Sequence, residues 1–224
     1  NIVWKKNYYS KQDKKLQPIL FFGKSGDDLF VADSIANYYV INKKTGDLKW
    51  KKKHSSSFNS QIKTFKDKAF VIDMENQLRC FSLETGKIVW SVKTQKSLLR
   101  SQKKQSIILK NDKVYFSNSI GDITAVNILD GKIIWQTPTQ SNVNFGNTYF
   151  LKLSDIVSDD NSIFVSNNNN QFFSIDLLTG TINWKQEFSS ELRPSLIDDY
   201  LITISDNGLL IVMDKKTGQI IRIN

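Results

Sequence analysis

Apolar runs of four or five residues, broken by polar or Gly/Asn-rich stretches, recur in a set order along this chain. Tyr38-Tyr39-Val40-Ile41 is followed by Leu48-Lys49-Trp50, and Leu78-Arg79-Cys80-Phe81 by Ile88-Val89-Trp90, a strand, turn, strand pattern. Upstream of each such pair lies another β-rich run: Leu29 to Ala32, Ala69 to Ile72, Val114 to Ser117, Ile163 to Ser166 and Leu201 to Ile204. A weaker run precedes these, as at Ile19 to Phe22, Ser106 to Leu109 and Leu192 to Ile197. Four short strands per unit of about 40 to 50 residues predict a β-propeller blade. The expected fold is therefore all-β, a propeller of four-stranded antiparallel blades. Five blades are expected, at approximately 17–53, 60–93, 104–137, 150–187 and 192–224, in a single partial domain over 1–224.

The units are aligned by their turns. Thr45-Gly46, Thr85-Gly86, Asp130-Gly131, Thr179-Gly180 and Thr217-Gly218 are spaced by 40, 45, 49 and 38 residues. Four residues after the glycine stands Trp50, Trp90, Trp135 or Trp184, and in the last unit Arg222. Trp4 fits the same phase, so all five tryptophans belong to one repeated position. Glycine supplies the positive φ that tight hairpin turns need, and the preceding Thr or Asp can bond the turn backbone. Val40, Cys80, Ala125, Ser174 and Val212 place a slim side chain at one point of every unit. Two positions on, Asn42, Ser82, Asn127, Asp176 and Asp214 are suited to capping the turn. An indole recurring once per blade reads as a dock between blades, since each sheet must bury its faces on its neighbours. The competing reading, a stacking platform for sugars or bases, leaves the glycine unexplained.

Composition narrows the chemistry. Of the 224 residues 40% are apolar and 24% charged, enough core material for a folded chain. One cysteine, Cys80, excludes an intrachain disulfide or multi-cysteine metal site, and His54 is the lone histidine. Cys80 reads as the slim residue of its blade and His54 as a loop residue after a lysine run. No cofactor or metal is expected. The net charge of +9 is uneven: residues 1–110 hold 23 Lys/Arg against 9 Asp/Glu, and residues 111–224 hold 8 against 13. A basic half could face an anionic partner such as acidic protein or lipid headgroups, or be a solvated surface. Nucleic acid is excluded as a partner, because no nucleic-acid motif surrounds the basic runs.

The unit Ser174-Ile175-Asp176-Leu177-Leu178-Thr179-Gly180-Thr181-Ile182-Asn183-Trp184 resembles the tryptophan-docking repeat of pyrroloquinoline-quinone-type propellers. The resemblance covers essentially the whole chain and implies fold rather than function, because quinoprotein dehydrogenases and non-enzymatic scaffolds share it. The dehydrogenases typically hold their quinone with a disulfide between adjacent cysteines, which one cysteine cannot form, so no enzyme activity is expected. Two linker segments, Ser97-Leu98-Leu99-Arg100-Ser101 and Leu151-Lys152-Leu153-Ser154-Asp155-Ile156-Val157, resemble loops of the BamB family of outer-membrane assembly lipoproteins. By that resemblance Leu99, Arg100 and Asp155 would contact the barrel-inserting subunit BamA, with unfolded outer-membrane proteins as further partners. Val157 stands where the family has a second acid. The alternative the resemblance leaves is a dehydrogenase-like or other ligand-binding propeller.

The resemblance also implies a periplasmic lipoprotein, in contact with the membrane only through a lipid anchor that this sequence does not contain. Asn1 to Tyr8 is expected to be the outer strand of a preceding blade, and the whole a fragment of an eight-bladed ring. The end blades would then bare edges and apolar faces.

Overall fold

The computed structural model describes residues 2–95, 103–140 and 152–224. Five four-stranded antiparallel sheets follow one another, each a simple meander. The first holds β1 (Leu20–Ser25), β2 (Asp28–Asp33), β3 (Asn37–Asn42) and β4 (Leu48–Lys53). The second holds β5 (Lys63–Phe65), β6 (Lys68–Ile72), β7 (Gln77–Ser82) and β8 (Ile88–Lys93). The third holds β9 (Ile107–Lys110), β10 (Lys113–Ser117), β11 (Asp122–Asn127) and β12 (Ile133–Pro138). The fourth holds β13 (Val157–Ser158), β14 (Ser162–Asn167), β15 (Gln171–Asp176) and β16 (Ile182–Gln186). The fifth holds β17 (Ser195–Ile197), β18 (Tyr200–Ile204), β19 (Leu210–Asp214) and β20 (Ile220–Ile223). The sheets group into two compact units, Asn1–Ser97 with the first two and Leu98–Asn224 with the other three.

The middle strands are buried on both faces, which is why they read as near-continuous apolar runs. In the first unit Phe30, Tyr38, Val40, Phe58, Ala69, Val71 and Phe81 form one core with Trp50 against it. In the second unit one core gathers Tyr115, Ala125, Trp135, Ile163, Val165 and Phe173. Another gathers Phe164, Phe172, Leu201, Ile211 and Met213, packed against Trp184. In the fifth sheet β18 and β19 alternate instead, and Tyr200 and Ile204 are exposed.

The repeated turn is built the same way five times. Asn42, Ser82, Asn127, Asp176 and Asp214 each accept the amide of the turn glycine on the main-chain oxygen, at 2.8 to 3.0 Å. Their side chains accept further turn amides, as Asp176 Oδ1 does from Leu178 (2.9 Å) and Thr179 (2.7 Å). Thr45, Thr85, Asp130, Thr179 and Thr217 accept the amide two residues on. The slim residues Val40, Cys80, Ala125, Ser174 and Val212 lie directly opposite Trp50, Trp90, Trp135, Trp184 and Arg222, with a register shift immediately after each.

Each indole described in contact with a turn reaches the glycine of the next sheet. Trp4 covers Gly46, Trp50 covers Gly86, Trp135 covers Gly180 and Trp184 covers Gly218. The indole N–H donates to a carbonyl of the same turn: Trp4 to Lys43 (2.8 Å), Trp50 to Leu83 (2.8 Å), Trp135 to Leu177 (3.3 Å) and Trp184 to Lys215 (3.1 Å). Trp90 packs on Phe70, with ring centroids 5.6 Å apart, and Gly131 takes φ +74 in its turn.

Residues 2–8 form no strand. Trp4, Tyr8 and Tyr9 lie on the face made by Val31, Tyr39 and Ile41, and helix α1 (Lys11–Lys15) follows.

Candidate docking site

The linker residues before β13 form a rim of the second unit. Leu153 bridges to Asn167, the Ser154 amide donates to Ser166 O (2.8 Å), and Ser154 Oγ accepts from the Ser166 amide (2.9 Å). The Ile156 amide donates to Ser106 Oγ (3.0 Å), and Ser154 and Ile156 are buried. These bonds pin Asp155 between two anchored neighbours. Asp155 is half-buried, and among the described residues its carboxylate takes part in no ion pair or side-chain hydrogen bond. Leu99 and Arg100, the other two docking residues suggested by the sequence, lie outside the described residues.

Lys103 interacts electrostatically with Asp155. Lys152 pairs with Glu191 at 2.7 Å, the Glu191 amide donates to Asp206 Oδ1 (2.8 Å), and Lys103 Nζ donates to Glu191 O (2.6 Å). Burial lowers the Lys103 ammonium pKa, partly countered by the attraction of Glu191 and Asp155. The bond from Glu191 raises that of Lys152. Beside this rim lies a small cleft lined by Lys103, Lys104, Gln105, Ser117, Asn118, Leu153 and Ser154. Sequence reasoning missed Lys103, Lys152 and Glu191. A usable signal existed, since an acid directly follows a linker serine at both Ser154-Asp155 and Ser190-Glu191.

The two residues with side-chain chemistry of their own are buried elsewhere. Cys80 is fully buried opposite Trp90, and burial pushes its thiol up to about 12, so it is no nucleophile at neutral pH. His54 lies in the loop after β4, as its sequence position suggests, with its ring packed. It stacks on Phe58 (5.4 Å, 19°) with Nε2 3.5 Å from Asp73 Oδ2, an ion-pair rather than a hydrogen-bond distance. Asp73 is fully buried, accepts Arg79 Nε at 2.9 Å and caps the amides of Glu75 (3.0 Å) and Gln77 (3.1 Å). Burial would raise its carboxyl, but His54, Arg79 and the Gln77 amide outweigh that and hold it below the usual range. Among the described residues no group of three or more His, Cys, Asp or Glu could hold a metal ion, and no helix is long and apolar enough to cross a membrane.

The family model of the outer membrane protein assembly factor BamB matches residues 1–224. The BamB protein of Shewanella oneidensis is 23% identical over 240 residues, covering 96% of this chain and 57% of that protein. That of Legionella pneumophila is 22% identical over 157 residues, covering 66% of this chain and 38% of the relative. The chain thus spans about half the length of these curated relatives, or less. The crystal structure of BamB from Moraxella catarrhalis superposes with a TM-score of 0.80 at 19% identity, over 92% of this chain and 64% of that one. A europium-containing methanol dehydrogenase superposes at 0.68 with 14% identity, over 92% of this chain and 51% of that one. Both likenesses are of fold, and that fold is the β-propeller.

Proposed function

The chain belongs to the family of the outer membrane protein assembly factor BamB, and from that premise we propose that it is part of a non-catalytic scaffold that assists assembly of β-barrel proteins into the outer membrane, working from the periplasmic face. It acts by docking onto the barrel-inserting subunit BamA, and a lipid anchor elsewhere in the protein holds it at the membrane. Leu99, Arg100 and Asp155 make the contact. The observation that supports this reading is Asp155: a carboxylate fixed between two buried neighbours, with no ion pair among the described residues, on a rim of mixed charge. Such a group is oriented in advance for a donor on another protein, and an Arg and Leu supply a planar fork and an apolar anchor.

The test is binding of the full-length protein to the periplasmic domains of its own organism's barrel insertase at fixed salt. Arg100→Glu and Asp155→Lys are each expected to weaken it by about 2 kcal/mol or more, roughly thirtyfold. No binding by the wild type, or equal binding by all three proteins, refutes the proposal.

A further inference from the structure

The turn between the second and third strands contains a residue at positive φ in every sheet: Ala36 (+71), Asn76 (+59), Gly121 (+93), Asn170 (+58) and Gly208 (+83). In four of these turns an Asp or Asn side chain accepts the amide of the residue just before it. Asp33 takes that of Ile35 (2.9 Å), Asp73 that of Glu75 (3.0 Å), Asn118 that of Ile120 (3.1 Å) and Asn167 that of Asn169 (3.0 Å). The fifth turn has Ser205 in that place, and its Oγ accepts the Leu209 amide instead (3.1 Å). Among the described residues no hydrogen bond holds the main-chain amide of Asn207 or its side chain, and Asn207 is exposed.

Asn207-Gly208 is the only Asn-Gly pair in the chain. A side chain on the residue after an asparagine screens that residue's amide nitrogen from the asparagine's carboxamide carbon, and glycine has none. A Cβ built at Gly208 finds nothing within 4 Å, so this side of the turn is open to water. Asn169, exposed in the matching turn of the fourth sheet, is followed by Asn170 with its own Cβ, and its amide is held by Asn167. One contact opposes reaction at Gly208: its amide donates to Ser205 O at 2.8 Å and must come free first. Exposed turn tips open locally at small cost.

We propose that Asn207 is a site of spontaneous covalent modification, its carboxamide being converted to a carboxylate through a cyclic imide formed with Gly208. The Gly208 nitrogen attacks Asn207 Cγ. The new N–Cγ bond forms, the Cγ–Nδ2 bond breaks, and ammonia leaves with the proton that the Gly208 nitrogen gives up. Because both groups sit in one chain, the attack is unimolecular. Water then adds across either carbonyl carbon–nitrogen bond of the ring, hydroxyl to carbon and proton to nitrogen, and nothing is oxidised or reduced. Opening on one side gives ordinary aspartate; opening on the other gives isoaspartate, with the main chain routed through the former side chain. Either product adds a negative charge beside Asp206. Isoaspartate also adds a main-chain carbon to a turn closed by the Ser205 amide on Leu209 O (2.9 Å). The same turn sets Asp206 Oδ1 on the Glu191 amide (2.8 Å) and the Asp206 amide on Ser189 O (2.9 Å), so the lengthened form loosens one end of the rim around Asp155. The inference rests on the turn and does not require docking through Asp155.

The experiment incubates the full-length protein in mildly alkaline buffer, folded and in urea, and follows it by peptide mapping with mass spectrometry. Isoaspartate is scored by enzymatic methylation of its carboxylate. In the folded protein the peptide holding Asn207 is expected to gain the amide-to-acid mass difference, and to accept methyl groups, ahead of every other asparagine-bearing peptide. A more acidic form should separate on anion exchange. Asn207→Gln, whose longer side chain must close a larger ring, is expected to lose both signals. Gly208→Ala, checked by circular dichroism, is expected to slow them. Conversion of Asn207 in urea but not in the folded protein overturns the proposal, because the turn then protects the pair. Earlier conversion of another asparagine, or conversion of Gly208→Ala as fast as wild type, also overturns it.

Discussion

Adding one methyl group at Gly180 tests the inter-blade dock directly. A Cβ built there would lie 2.5 Å from Trp135 Cδ2, 2.7 Å from Cε3 and 2.8 Å from Cγ, and the backbone holds φ at +77. Two costs therefore add: about 1–2 kcal/mol for a side chain in the left-handed region, and about 1–3 kcal/mol for forcing a well-packed indole aside. Gly208 separates them, because its φ is +83 with nothing within 4 Å of the added Cβ. Gly208→Ala is expected to cost about 1–2 kcal/mol, and Gly180→Ala about 2–5 kcal/mol. Trp135→Ala costs about 3–5 kcal/mol in its own right, but it removes the obstacle. Gly180→Ala in that background should then cost only what Gly208→Ala does, a favourable coupling of about 1–3 kcal/mol. Urea unfolding of the wild type and the four variants followed by circular dichroism measures this, with equal slopes confirming a comparable transition. Additivity of the two substitutions within about 0.5 kcal/mol would refute the dock as the reason for the glycine.

Other outcomes follow from the same contacts. Asp73→Asn should destabilise by about 2–3 kcal/mol at pH 7, by removing the fully buried carboxylate that the partly buried Arg79 pairs with. Because the folded Asp73 carboxyl is lowered, its contribution is complete above the unfolded value of about 3.9 and fades as pH falls through the lower folded value. The difference between wild type and variant in urea should therefore shrink below about pH 4, and a constant difference down to pH 2 would contradict the pairing. Cys80 should resist a maleimide at pH 8 until urea unfolds the chain, since its thiol is buried and raised to about 12. Prompt labelling of the native protein would place it at the surface. Arg222→Ala should change stability by no more than about 0.5 kcal/mol, because the exposed guanidinium bonds only Asn224 Oδ1 at 3.0 Å among the described side chains.

The sequence by itself determined the repeating unit, because everything in that unit is local. A glycine at positive φ, a Thr or Asp before it, a capping side chain four before it and a slim residue opposite the tryptophan are all contained in one hairpin of about a dozen residues. Such a hairpin leaves its period in the chain as plainly at Asn42 to Trp50 as at Asp176 to Trp184. Tertiary structure decided what no spacing encodes. It set Trp4, Trp50, Trp135 and Trp184 on the following sheet's glycine, and it laid Trp4, Tyr8 and Tyr9 on the face made by Val31, Tyr39 and Ile41. It also brought the loop residue His54 to within 3.5 Å of a buried Asp73, a contact made between a linker and the turn of the next sheet. At the docking rim, Asp155 was legible only by resemblance. Its neighbours Lys103, Lys152 and Glu191 come from three linkers separated by dozens of residues, and only the packing of three sheets brings them together.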